Sequence, residues 1–155
     1  RQALSNPYTG VCAIFSSRFL NDQAPLVFED GEQTRDFVHV SDIVRANLLA
    51  LETHKGDYEM FNIGTGRPSS VKDIARLIAK GLGKDIEPEI VGKSRAGDIR
   101  HCVADISKAR RLLGYEPKVV LEDGLKELLA WVQGQEAQDR VSSATAELAA
   151  HSLVK

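Results

Sequence analysis

The sequence is poor in cysteine, methionine and tryptophan, with two, one and one of these among 155 residues. The two cysteines, Cys12 and Cys102, allow at most one disulfide, lack metal-type spacing and follow no signal-peptide-like start. A reducing, cytoplasmic setting is therefore expected. No apolar run approaches the ~20 residues that a bilayer-spanning helix needs. An excess of one charge is missing too: 20 Lys and Arg stand against 22 Asp and Glu, a net charge of -2. That balance offers no global field for nucleic acid or anionic lipid, so any basic site must be local. There is no internal repeat and no initiating methionine, and the aperiodic stretch 1–9 with its Asn6-Pro7 reads as a loop entered in mid-fold.

What is present is the composition of an ordinary globular domain, 43% hydrophobic and 27% charged. Apolar residues at helical spacing predict helices over 10–20, with Val11, Ile14, Phe15 and Phe19 on one stripe, and over 121–132, with Leu125, Leu128, Leu129 and Val132. A third helix is expected to begin at a Ser41 or Asp42 cap and to turn Ile43, Ala46, Leu48, Leu49 and Leu51 inward. A fourth follows a Ser69 or Ser70 cap and ends near Gly81 or Gly83, and a short fifth runs from an Asp105 cap to Gly114. Short apolar runs predict strands at 26–28, 37–40 and 60–63, with a weaker one at 87–91. The pattern is α/β, with a few short strands and about five helices. Residues 1–133 form the expected folded part, and 134–155 a helical or frayed tail.

Catalytic chemistry is hard to find. The one glycine-rich turn after an expected strand, Asn62-Ile63-Gly64-Thr65-Gly66-Arg67, carries two glycines of a dinucleotide fingerprint and then Pro68. A tight turn explains it at least as well as phosphate binding. The residues four positions beyond Tyr8, Tyr58 and Tyr115 are Cys12, Asn62 and Val119, so no Tyr-x-x-x-Lys pair exists to lower a phenol pKa. His39, His54, His101 and His151 lie in four unrelated contexts and suggest neither a triad nor a metal site. No residue is assigned a catalytic role.

Arginines in loops beside apolar strands are the more promising feature, because a guanidinium presents a planar fork to phosphate oxygens. Arg35 precedes the expected strand at 37–40, and Arg95 lies in Ser94-Arg95-Ala96-Gly97-Asp98. Ordinary ion pairs, Arg35 with Asp36 or Asp42 and Arg95 with Asp98, are the competing explanation.

Four ordered segments add to this. They are Asp30-Gly31-Glu32-Gln33-Thr34-Arg35-Asp36-Phe37-Val38-His39-Val40-Ser41-Asp42, then Phe61-Asn62-Ile63-Gly64-Thr65-Gly66, then Arg95-Ala96-Gly97-Asp98 with Ala104-Asp105-Ile106-Ser107-Lys108-Ala109, and Leu113-Gly114-Tyr115-Glu116-Pro117. Together they resemble the C-terminal half of extended short-chain dehydrogenases/reductases, and most of all the NAD-dependent nucleotide-sugar 4-epimerases. The resemblance implies the substrate-binding part of a Rossmann-type fold, with NAD held mainly by an N-terminal half that carries the cofactor loop and the Tyr-x-x-x-Lys pair. It implies a nucleotide-diphosphate sugar as ligand, UDP-glucose or UDP-N-acetylglucosamine. A dTDP-sugar epimerase or 4,6-dehydratase, or a non-catalytic nucleotide-sugar-binding subunit paired with a separate NAD-binding chain, remains an alternative.

By the same resemblance Leu26 and Phe28 sandwich the pyrimidine, although core packing would equally suit their apolar strand. Arg35 grips the diphosphate, with Asn62 near it or the ribose. Arg95 is a second phosphate ligand and Asp98 lies near the ribose. Cys102 falls where a small side chain leaves room for an N-acetyl group, or is simply a buried thiol.

Overall fold

A computed structural model describes residues 2–6 and 9–154; Arg1, Pro7, Tyr8 and Lys155 lie outside it, so the opening loop expected over 1–9 is described only in part. In chain order the elements are α1 (Val11–Leu20), β1 (Leu26–Val27), β2 (Thr34–Arg35), α2 (Val40–Glu52), a 3-10 turn (His54–Gly56), β3 (Ser69–Ser70), α3 (Val71–Gly81), β4 (Glu89–Ile90), β5 (His101–Cys102), α4 (Ser107–Leu113), α5 (Leu121–Val132) and α6 (Val141–Ala150). They fall into two units, one of Arg1–Gln33, Ser70–Arg100 and Leu125–Lys155, the other of Thr34–Ser69 and His101–Gly124.

In the first unit β1 runs parallel to β4, with Leu26 opposite Glu89 and Val27 opposite Ile90. The ladder is extended by Glu89 N–H to Pro25 O at 2.9 Å and Val91 N–H to Val27 O at 3.0 Å. In the same unit α1, with Phe15 and Phe19 buried, packs on α3, whose Ile74, Ala75 and Ile78 are fully buried. Ser70 Oγ accepts the Asp73 N–H and starts α3, as its place before an apolar period predicted. A methyl group on Gly81 would collide with Leu129 Cδ1, so this glycine serves close helix approach. Arg18 is buried yet charged; it donates twice to Ala24 O and pairs with Asp139 at 2.6 Å, which ties α1 to the segment before α6.

The second unit is built round Ala46, Ile106, Ala109, Leu113 and Tyr115, with Leu49, Phe61, Ile63 and Ala104 packed on them. Tyr115 is wholly buried, and its hydroxyl donates to Gly64 O at 2.9 Å. Burial, and then the nearby Asp42 charge, raise its pKa. Asp42 is buried without exposure and accepts from Lys118 N–H and Val119 N–H at 3.1 and 3.2 Å and from Arg45 at 2.6 Å. Asp36 accepts from Thr65 N–H at 2.8 Å, Thr65 Oγ1–H at 2.5 Å, Gly66 N–H at 2.9 Å and Ala104 N–H at 3.3 Å.

Several local expectations change. Among the described residues, 37–40 and 60–63 join no ladder; the strand of the first segment lies upstream at Thr34–Arg35, and Val40 already opens α2. The cap of α2 is His39, whose Nδ1 accepts the Ser41 N–H, because the carboxylate of Asp42 is already taken by residues 118 and 119. Leu48 and Leu51, expected inside, are 52% and 83% exposed. The N-cap of α4 is Ile106 rather than the expected Asp105, which stands one residue earlier and accepts the Ser107 N–H at 2.9 Å. A sixth helix, α6, appears within 134–155.

Removing Asp42 leaves the part-buried Lys118 and Val119 N–H groups without their acceptor and Arg45 with Glu116 O alone. Asp42→Ala is expected to cost about 3 kcal/mol, read as a fall in the urea midpoint at pH 7. Asp36 behaves differently with pH: burial works to raise its pKa, but the four hydrogen bonds from Thr65, Gly66 and Ala104 outweigh burial and hold it below the usual value. Its stabilisation is therefore complete above the unfolded pKa of about 3.9 and lost as pH falls through the folded one. Carboxyl NMR titration of Thr65→Val should show the Asp36 pKa move up, and an unchanged titration would contradict this account.

Candidate functional site

Side chains alternate along a strand, so Leu26 and Phe28 lie on the side opposite Val27. Val27 is 1% exposed and belongs to the core, whereas Leu26 and Phe28 are only half-buried. Simple core packing, open for both from sequence, thus describes Val27 and not its neighbours. Over the Phe28 ring stands the guanidinium of Arg95, 4.9 Å from the centroid. Arg95 Nε also donates to Asp98 Oδ2 at 2.8 Å, across a turn in which Gly97 takes φ +84°. The expected Arg95–Asp98 ion pair is thus present, but both partners are partly exposed and such pairs contribute under about 1 kcal/mol. A cation over an aromatic face contributes a similar amount. Neither contact consumes all the guanidinium donors.

The backbone that carries Phe28 is unusually constrained. Glu29 and Gly31 both have positive φ, 52° and 79°. Gln33, 6% exposed, donates from Nε2 to Phe28 O at 2.8 Å, while its Oε1 is buried without a hydrogen-bond partner. Arg100 binds Asp30 through both terminal nitrogens, at 2.9 and 2.7 Å, and reaches Glu29 at 2.5 Å. The hydrogen bond from Arg100 drives the Asp30 carboxyl far below the usual range, and Asp30 in turn raises Arg100. Sequence reasoning overlooked Gln33 and Arg100. The 70 residues between Arg100 and Asp30 hide their contact, and the one signal for Gln33 was its place in the segment 30–42.

In the second unit Arg35 is half-buried on β2 and donates to Thr34 O at 2.8 Å. The carboxylates proposed as its ordinary partners are engaged elsewhere, Asp36 by Thr65, Gly66 and Ala104 and Asp42 by Arg45 and the 118–119 amides. Parallel pairing sets Arg35 opposite Cys102 and Thr34 opposite His101, with Thr34 Oγ1 and His101 Nδ1 2.9 Å apart. Cys102 is exposed, which departs from the buried-thiol alternative. Asn62 is exposed just ahead of the Gly64 turn. The structure thus brings Phe28, Arg95 and Asp98 together in one unit and sets Arg35 beside Cys102 in the other.

The glycine-rich turn does not fit the pyrophosphate of NAD. Such a cradle needs backbone N–H groups free to meet phosphate oxygens. Here the Thr65 and Gly66 amides already serve the Asp36 carboxylate, whose charge would repel an anion. A Cβ on Gly64 would strike Asp36 Oδ2 and Ala104 Cβ, so the glycine admits the carboxylate rather than a ligand. A cavity of about 270 Å³ in the same unit, lined by residues that include Phe37, Arg67, Pro117 and Lys118, holds none of the expected site residues. Among the described residues no group of three or more His, Cys, Asp or Glu could hold a metal ion, and no helix is long and apolar enough to cross a membrane.

Residues 9–128 match the family described as GDP-mannose 4,6 dehydratase. The dTDP-L-rhamnose 4-epimerase of Burkholderia thailandensis is 38% identical over 131 residues, which are 84% of this chain and 36% of that protein. The crystal structure of the Thermotoga maritima UDP-glucose 4-epimerase with UDP-glucose is 46% identical, with a TM-score of 0.75 over 83% of this chain and 41% of that one. The Bacillus cereus UDP-glucuronic acid 4-epimerase, solved with UDP-glucuronic acid and NAD, is 35% identical, with a TM-score of 0.74 over 83% of this chain and 40% of that one. The chain therefore spans about two-fifths of the length of these relatives. On the strength of a family match over most of its length, the chain belongs to the GDP-mannose 4,6-dehydratase family, the NAD-dependent nucleotide-sugar epimerases and dehydratases among the extended short-chain dehydrogenases/reductases.

Proposed function

We propose that this chain is the nucleotide-sugar-binding portion of a cytoplasmic NAD-dependent sugar-nucleotide 4-epimerase, with UDP-glucose or UDP-N-acetylglucosamine as substrate. The observation that carries the reading is the half-open Phe28 ring with Arg95 over it. An aromatic face next to a guanidinium suits a planar base joined to phosphate, because one supplies stacking surface and the other charge. Leu26, on the same side of β1, extends the apolar surface for the pyrimidine. Asp98 stands near the ribose, Arg35 grips the diphosphate, and Asn62 assists at the same group or its ribose. The exposed Cys102 opposite Arg35 favours a sugar pocket that tolerates an N-acetyl group.

The chain's own part in the reaction is to bind and orient. Interactions with the nucleotide, remote from the reacting carbon, position the sugar and lower the entropic cost of reaction. Proton transfer needs a Tyr-x-x-x-Lys pair that this sequence lacks, so the hydride and proton steps belong to an NAD-binding portion beyond it. A dTDP-sugar substrate is the second reading, favoured by the likeness to the B. thailandensis enzyme.

Calorimetric titration of the 155-residue chain with UDP and dTDP tests both. A micromolar complex corresponds to about -8 kcal/mol, and one charge-assisted bond to about 1.5–3 kcal/mol. Arg35→Ala should therefore weaken binding roughly 10- to 100-fold, and Phe28→Ala by a smaller factor, about 5- to 10-fold for an aromatic contact. The base with the higher affinity identifies the nucleotide. A chain folded by circular dichroism that binds neither nucleotide would refute an autonomous binding portion.

A further inference from the structure

The family match covers residues 9–128, and α6 lies outside that span. The start of α6 is fastened to α1. Asp139 Oδ2 takes the buried Arg18 guanidinium at 2.6 Å, while Asp139 Oδ1 accepts the Val141 N–H at 3.0 Å as the helix opens. Asn21 Nδ2 donates to Ala137 O at 3.0 Å, and Ala144 is buried. The far end of α6 turns sharply. Ser152 takes φ +57°, its N–H donates to Ala149 O at 3.0 Å, and the Leu153 N–H donates to Leu148 O at 2.9 Å. Those two bonds with a left-handed residue just past the helix form a Schellman closure, at a position where glycine is usual.

The closure sends Leu153 and Val154 against the loop that carries Arg95. Ala96 donates its N–H to Leu153 O at 2.8 Å, and Arg95 forms an antiparallel bridge with Val154. Residues 92–100 are otherwise exposed, and Gly92 and Gly97 both have positive φ. Among the described residues, the hydrogen bonds and ring contacts that tie 94–98 to the rest of the chain are Ala96 to Leu153 and Arg95 over Phe28.

We propose that residues 151–154 are a strap that positions Arg95: by pinning the Ala96 amide they hold the guanidinium over Phe28 before any ligand arrives. A free loop would have to order its backbone and a rotamer-rich side chain on binding, and the strap meets that cost in advance. It takes only backbone groups, and among the described residues the terminal guanidinium nitrogens of Arg95 carry no hydrogen bond. What Arg95 then binds rests on the functional reading above; the strap itself does not.

The test compares the full chain with the same chain ended after Ala150. Without nucleotide, NMR reports the strap twice. Exchange of the Ala96 amide should quicken at least about 10-fold once residues 151–155 are removed. The Arg95 side-chain protons, shifted upfield by the Phe28 ring, should move toward their positions in Phe28→Leu. Ser152→Gly relieves the left-handed backbone, so Ala96 should exchange more slowly, and Ser152→Val should do the reverse. With UDP as the probe, calorimetry should show the same removal weakening binding about 2- to 10-fold. In an Arg95→Ala background it should weaken binding no further, which a general loosening of the fold would not reproduce. Ala96 exchange and Arg95 shifts that are the same with and without 151–155 would overturn the strap. So would tighter UDP binding after the removal, because the segment would then cover the site, or an equal loss with Arg95 absent. A chain that binds no UDP refutes the nucleotide reading, while loss of the Ala96 protection and of the ring shift upholds the positioning of Arg95.

Discussion

The carboxylate of Asp36 holds together three stretches that are distant in sequence. It stands at the end of β2 and takes the amides of Thr65, Gly66 and Ala104 together with the Thr65 hydroxyl. One half-buried acceptor with several donors fixes position and orientation at once, because each unmet N–H would carry its own desolvation cost. The consequence runs outward: the Gly64 carbonyl is set to accept from Tyr115, and Ala104 is held where the chain enters α4. Asp42 repeats the device at the first turn of α2 with the amides of 118 and 119. The second unit is thus ordered by carboxylate-to-backbone clamps round a small apolar cluster rather than by a long sheet.

The same interaction decides what the glycine-rich turn is for. A turn whose Thr65 and Gly66 amides meet a carboxylate has no capacity left for a phosphate. The residues proposed to face a ligand lie elsewhere: Phe28 just beyond β1, Arg35 on β2 and Cys102 on β5. The Phe28 turn is held by Gln33 and by the Arg100 fork, so its aromatic ring is presented by a backbone with little freedom to move.

Helix α2 shows what apolar periodicity leaves open. Apolar periodicity alone expected Leu48 and Leu51 inside, and in this chain they lie outside while Ala46 and Leu49 pack inward. A helix with apolar residues on two sides satisfies the period with either, and periodicity cannot say which side this chain covers.

The sequence by itself determined helices α1 to α5, the Ser70 cap of α3 and the family. Those features are local or ordered along the chain: apolar period over 121–132, Ser70 before Asp73, and motifs in series from Asp30 to Pro117. Strand positions were less legible, because two-residue parallel ladders depend on partners some 60 residues away, such as Leu26 with Glu89 and Arg35 with Cys102. Only tertiary structure decided that the Gly64 turn serves Asp36, that Arg95 stands over Phe28, that Gln33 and Arg100 brace the same turn and that Cys102 is exposed. The physical reason is common to all four: a side chain's hydrogen-bond partner and its solvent are properties of what the fold brings near, and spacing along the chain carries no record of either.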